Sequence, residues 1–189
     1  MAEVELHPEE ILEEEFEYAR ETAAQAQNDR TAIVNMYLLL VGGVGSIVLA
    51  LSQSSPSGPF DVPPAAYSLL FALLALTGFF MLMKLVRLRQ AWYESARAMN
   101  QIKRFYIEKF PELDAAFLWK PNTIPALGKP WTITFNLALL VMMLDSVAIA
   151  VAVHMTGIRV PQGDYVVDLF AAVVFFGWQL FYYFYQLPV

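Results

Sequence analysis

The sequence predicts an all-α, four-span membrane protein in which two of the helices extend into a charged helical domain on one side of the bilayer. Three observations predict this. Of 189 residues, 58% are hydrophobic and 16% charged, too little polar surface to close over an apolar core of that size in water. Four stretches, 31–51, 65–86, 131–153 and 165–185, reach the roughly 20 mostly apolar residues that a hydrocarbon layer of about 30 Å requires. Nine of the twelve basic residues fall between Lys84 and Lys129, against none in 52–64 and only Arg159 in 154–164. By the positive-inside rule both termini and residues 87–129 are therefore expected on the cytoplasmic face of the plasma (inner) membrane.

Taken in order, residues 1–30 form an acidic cytoplasmic helix. Pro8 followed by Glu9 and Glu10 reads as a helix start, because proline at the first helical position loses no hydrogen bond and acids offset the positive end of the helix dipole. The first thirty residues hold ten carboxylates and two arginines, the reverse of a cationic signal or transit peptide, so the first span is expected to serve as its own uncleaved signal. Leu12, Phe16, Ala19, Ala23, Ala26, Arg30 and Ile33 recur at spacings of four and three, a narrow stripe suited to packing on another helix. One helix is expected from Pro8 to about Leu51. Within it Gly42, Gly43, Gly45 and Ser46 place small residues where a neighbouring helix can approach closely. Residues 52–64 (SQSSPSGPFDVPP) form a short external loop.

Pro63 and Pro64 precede the second span, and no proline follows until Pro111, so a second helix of about 46 residues, or about 69 Å, is expected. Met81, Leu85, Leu88, Trp92, Ser95, Met99, Ile102 and Tyr106 continue the four-and-three spacing beyond the membrane, and that stripe requires a partner. Pro111 opens a short helix over 112–119, and Pro121, Pro125, Gly128 and Pro130 mark an irregular connection. The third span carries Asn136, Asp145 and Ser146; the fourth carries Asp168, Gln179 and an aromatic run, Phe175, Phe176, Trp178, Phe181, Tyr182, Tyr183, Phe184 and Tyr185, read as an interfacial belt.

The two charged segments are electrostatic complements. Residues 1–30 carry ten acids and two bases, net −8, whereas 84–129 carry nine bases and four acids, net +5. The expected pairing is antiparallel, with Glu17 near the height of Arg97 and Glu9 and Glu10 near Lys103 and Arg104. This nearer partner also makes nucleic acid a poor fit for the basic segment. Clustered basic residues just inside a membrane do attract anionic headgroups, at about 1 kcal/mol each.

Catalytic machinery is absent from the sequence: there is no cysteine, no glycine-rich phosphate loop, no nucleophile elbow and no paired-histidine zinc motif. No enzyme activity and no cofactor or metal is expected. His7 with Glu9, Glu10, Glu13, Glu14, Glu15 and Glu17 has the hard oxygen ligands of a divalent-cation site, but a solvated or salt-paired face explains them more simply. Asp145 is the most unusual residue. A carboxylate inside a span costs about 2.5 to 3.5 kcal/mol on insertion scales and normally faces protein or water. With Ser146, Asp168 and Asn136 it forms the candidate intramembrane polar site, either as hydrogen-bonded structural glue or as part of an ion or proton pathway.

The layout of the first 120 residues, an acidic helix running into a span and a second span running into a charged helix, resembles the small membrane effectors of bacterial defence systems, including the SLATT-type proteins. No motif of that family falls on the most distinctive string, residues 89–100 (RQAWYESARAMN). The resemblance implies oligomerisation and membrane permeabilisation on activation. From the residues, the first reading is a non-enzymatic membrane protein that self-associates in the bilayer and receives a cytoplasmic protein or small-molecule signal. An accessory subunit of a larger membrane complex is the second reading. A small transporter is the third, weakened by the lack of an internal repeat.

Overall fold

The computed structural model describes residues 8–53, 62–118, 123–158, 163 and 165–188. His7, Trp119, Lys120, Pro121, Arg159, most of the 52–64 loop and part of the 154–164 loop lie outside them. Four α-helices and one short 3-10 helix make up the regular structure: α1 (Pro8–Gln53), α2 (Pro64–Lys109), the 3-10 turn Pro111–Ala115, α3 (Ile133–Met155) and α4 (Val166–Gln186). All four α-helices are long and apolar enough to cross a membrane.

Proline marks both ends of α2. Pro64 occupies a first-turn position, where its missing N–H costs nothing. Phe110 leaves the helical region at φ −133° and ψ 81° because it precedes Pro111, and a residue before proline is pushed out of the α conformation. The stretch after Pro111 tightens into five residues of 3-10 helix, shorter than the helix the sequence predicts over 112–119, since i to i+3 geometry does not sustain long runs. The start of α3 is set by a side chain: Thr132 accepts a hydrogen bond from the Phe135 backbone N–H, satisfying one of the four donors a helix start leaves free. Just before it Trp131 takes a left-handed φ of 63°, so the chain turns sharply into the third apolar stretch.

The helices have two lengths, and this shapes the molecule. At 1.5 Å per residue, α1 and α2, with 46 residues each, run about 69 Å. With 23 and 21 residues, α3 and α4 run about 35 and 32 Å, near the hydrocarbon thickness alone. The first two lie antiparallel: Tyr37 of α1 sits beside Gly78 of α2, while Phe16 near the start of α1 meets Lys103 near the end of α2. Beyond the level of Arg30, which donates to Thr134 at the start of α3 over 2.9 Å, α1 and α2 continue as a two-helix arm.

Packing follows the stripes in the sequence. Ala19, Ala23, Ala26 and Ile33 are buried on α1, and Leu85, Ser95 and, less completely, Trp92, Met99 and Ile102 on α2. Within the apolar zone α2 packs on both α1 and α3, and α4 packs on α3; among the described residues α1 and α4 do not touch. The four spans thus form an open, staggered row rather than a closed ring, in which α3 also meets α1 and α4 also meets α2. Its core holds Tyr37, Leu82, Leu85, Met142, Val141 and Tyr183.

Aromatic residues of α4 divide between two environments. Phe181 and Tyr185 face outward and stack at 5.9 Å, whereas Tyr183 is fully buried against Phe135 at 5.7 Å and Trp178 lies 4.5 Å from Phe79. A continuous aromatic run winds around its helix every 3.6 residues, so an interfacial belt accounts for only part of it.

Candidate functional site

The polar centre of the apolar zone is built by three helices. Asp145, fully buried on α3, accepts a hydrogen bond from the hydroxyl of Tyr37, fully buried on α1. Gly78 of α2 lies between them: a Cβ there would strike the Asp145 carboxylate and come within 2.6 Å of the Tyr37 hydroxyl. Glycine is thus required at this position by close approach, not by backbone conformation. Asp145 Oδ2 is buried without a hydrogen-bond partner among the described residues, so Tyr37 is the one protein donor to this carboxyl among them.

The other predicted members of this site stand elsewhere. Ser146 is buried but turns back to the Met142 carbonyl of its own helix at 2.7 Å. Asn136 lies on an exposed face nearer the start of α3. Asp168 sits in the first turn of α4, where its Oδ2 is 2.8 Å from Nδ1 of His154. The His154 ring in turn stacks on Tyr165 at 5.6 Å. Asp145 and His154 are nine residues apart on α3, about 13 Å of helix, so the two carboxylates form separate centres.

A second polar cluster closes the bundle at the base of the arm, and sequence reasoning missed it. Arg89, buried on α2, donates from Nε to the Leu127 carbonyl at 3.1 Å and from an Nη to the Ala126 carbonyl at 3.2 Å, and its guanidinium lies 4.7 Å from the centre of the Trp92 ring. Gln90 donates to the Gln186 carbonyl at 3.1 Å, and the Gly128 N–H to the Pro188 carbonyl at 3.2 Å. A Cβ at Gly128 would collide with the Leu187 carbonyl. The end of α4 is thereby tied to α2 through backbone carbonyls. Burial disfavours the charged form of Arg89 and of Arg30, both outside the apolar stretches 31–51 and 65–86, and lowers their pKa from the ordinary arginine value.

In the arm, charges predicted to pair across the helices pair along them. Glu17 bonds to Arg20 at 2.8 Å and Arg104 approaches Glu108 at 3.8 Å; among the described residues no ion pair crosses from α1 to α2. Glu10 is exposed. The helices meet instead through apolar and cation–π contacts. The Lys103 ammonium lies 5.9 Å from the Phe16 ring centre and 5.7 Å from that of Phe117. These residues, with Leu12, Ile102, Tyr106 and the rim carboxylates Glu9 and Glu13, border an apolar groove of about 350 Å³. On the opposite side of α2 a smaller, polar cavity of about 220 Å³ is lined by Tyr93, Arg97, Asn100, Gln101, Arg104 and Ile124.

The predicted packing residues Gly42, Gly43, Gly45 and Ser46 face outward. A Cβ added at any of the three glycines would meet no neighbouring group within 4 Å, and Ser46 bonds only to the Gly42 carbonyl of its own helix at 2.8 Å. The chain matches no known family model, no curated protein and no solved structure.

Proposed function

We propose that this chain is a non-enzymatic membrane protein that self-associates in the bilayer and permeabilises it or conducts ions on a signal received by the α1–α2 arm, with both termini and the arm on the cytoplasmic side. The observation that carries the self-association is the uncovered small-residue face of α1. Because α1 and α4 do not touch among the described residues, Gly42, Gly43, Gly45 and Ser46 are covered by no other helix there, yet such residues let a second backbone approach closely in lipid. The arm supports reception, since α1 and α2 each run without a break from the distal grooves to the Tyr37–Gly78–Asp145 contact.

Mass determination of the chain purified in mild detergent tests this reading. Several identical copies are expected, and Gly42→Leu with Gly45→Leu should reduce the copy number; a lone monomer, or co-purification with unlike subunits, would replace it with the accessory-subunit reading. Orientation is tested separately with an impermeant thiol reagent on intact cells carrying single cysteines at Ser57, outside the described residues, or at Glu94. Labelling of Ser57→Cys alone is expected, and labelling of Glu94→Cys alone would invert the topology.

A further inference from the structure

Two arginines share one small space at the joint where the arm leaves the apolar zone. There α1, α2 and α3 border a cavity of about 10 Å³, lined by Gln27 and Arg30 of α1, Leu88, Arg89 and Trp92 of α2 and Thr134 of α3. Independent contacts place both guanidinium heads beside it. Arg30 donates from an Nη to Thr134 Oγ1 at 2.9 Å, and the Arg89 guanidinium lies 4.7 Å from the centre of the Trp92 ring. Burial is the main cause that lowers the pKa of Arg89, and among the smaller ones the charge of Arg30 acts in the same direction. The two cations therefore feel one another. Among the described residues no carboxylate lines the cavity and no ion pair reaches either arginine. Arg89, only 7% exposed, is answered by two carbonyl dipoles and a ring rather than by a negative charge, and an enclosed charge without a counter-charge is costly.

From this geometry we infer that the Arg30–Arg89–Thr134 cavity binds one monatomic anion, chloride or another halide, and that the ion fastens α1 to α2 and α3 at the root of the arm. The polar lining is made of donors. Thr134, 2% exposed, accepts from Arg30, and its hydroxyl proton is engaged by no acceptor among the described residues; Gln27 adds an amide. A water in this space would meet donors on several sides and few acceptors for its own protons, whereas an anion is matched by each of them. Size selects the ligand further. A volume of about 10 Å³ is close to the least that admits one water. A halide ion is little larger than a water, but a phosphate, a sulfate or a lipid headgroup is not accommodated. The binding depends neither on the self-association nor on the topology proposed above.

The full chain in phosphatidylcholine nanodiscs tests it, with sodium chloride exchanged for sodium gluconate at constant ionic strength so that screening is unchanged. Chlorine NMR line broadening reads binding, and circular dichroism on heating reads stability. Saturable broadening is expected, with a melting midpoint that rises with chloride and likewise with bromide. Arg30→Gln and Thr134→Val should each weaken chloride about tenfold, the loss of one charge-assisted contact. Gln27→Glu supplies a fixed negative charge beside the cavity. It should abolish the broadening and raise the midpoint in gluconate to the level the parent reaches in chloride, a rescue that a merely structural role of these residues would not produce. Lys84→Gln, which removes an exposed cation outside the cavity, should leave the chloride response as in the parent. Equal midpoints in the two salts and no saturable broadening in the parent would assign the cavity to a single water and overturn the inference. A chloride response that survives both Arg30→Gln and Gln27→Glu, or that disappears in Lys84→Gln, would place the anion on the surface and overturn it as well.

Discussion

The same two helices, α1 and α2, are held together in two different ways along their length. In the apolar zone the apolar packing of α1 on α2 surrounds a buried polar link: the Tyr37 hydroxyl on α1 passes Gly78 of α2 to reach Asp145 of α3. In the arm the polar groups are exposed and local, and the contact is apolar, with Phe16 near Lys103 and alanines at Ala19, Ala23 and Ala26 on the buried face. On the placement proposed above, with the apolar zone in lipid and the arm in water, the surroundings account for the reversal. Lipid offers a polar group no competing partner, and apolar side chains gain little by leaving lipid for one another, so small residues and hydrogen bonds join helices there. In water, apolar burial drives association and exposed ion pairs contribute about 0 to 1 kcal/mol each.

The largest effect should come from filling the close approach. Gly78→Ala is expected to cost about 3 kcal/mol, the upper end of overpacking penalties, because its Cβ would meet the Asp145 carboxylate and the Tyr37 hydroxyl. Unfolding in a graded dodecyl sulfate and mild-detergent mixture, followed by circular dichroism, measures it; parental stability would show that the three helices do not meet there.

Next comes the hydrogen bond. Tyr37→Phe should destabilise by about 2 kcal/mol, because it leaves a buried carboxyl without its donor. Adding Asp145→Leu to Tyr37→Phe should recover part of that loss, with a coupling of about 1 to 2 kcal/mol in a double-mutant cycle. Additive effects would dissolve the contrast between the two regions. Vesicle conductance separates the two readings of Asp145: Asp145→Asn is expected to keep it if the residue is structural, and abolish it if the charge lines a pathway.

The arm should respond to apolar rather than ionic change. Phe16→Ala is expected to cost about 1 kcal/mol, less than a fully buried aromatic because Phe16 is only half-buried, and to increase amide exchange in 8–30 and 87–109 while sparing α3. Smallest of all, Glu17→Gln should change stability by less than about 0.5 kcal/mol, the value of an exposed pair within one helix. A larger loss from Glu17→Gln than from Phe16→Ala would show that charge, not apolar contact, joins the arm.

Much of this architecture was legible in the sequence because it depends on local pattern. Hydropathy and length marked four apolar stretches; Pro64 and Pro111 marked helix limits by removing a donor or restricting the preceding residue; and the four-and-three stripes on α1 and α2 marked the faces that pack. The antiparallel direction of α1 and α2 followed from two long helices joined by a short connection, whereas the cross-helix pairs of Glu17 with Arg97 and of Glu9 and Glu10 with Lys103 and Arg104 did not, since Glu17 and Arg104 find partners on their own helices. The partners of individual polar groups were less legible. Asp145 stood out as a carboxylate in a span, but Tyr37 and Gly78 sit in apolar stretches where neither carries a pattern of its own. Arg89 looked like one of nine cations, although it is buried and donates to the Leu127 and Ala126 backbone carbonyls.

What the sequence by itself determined about this protein is therefore its class, its helix lengths and the buried face of each long helix, since hydropathy, proline and periodicity act over a few neighbouring residues. Only the tertiary structure decided that the spans form an open row, that Asp168 joins His154 instead of Asp145, and that Tyr37, Gly78 and Asp145 converge. These depend on the rotation and order of helices far apart in the chain. A rotation of one residue, about 100°, would present each polar side chain to a different neighbour while leaving the apolar pattern of every span intact.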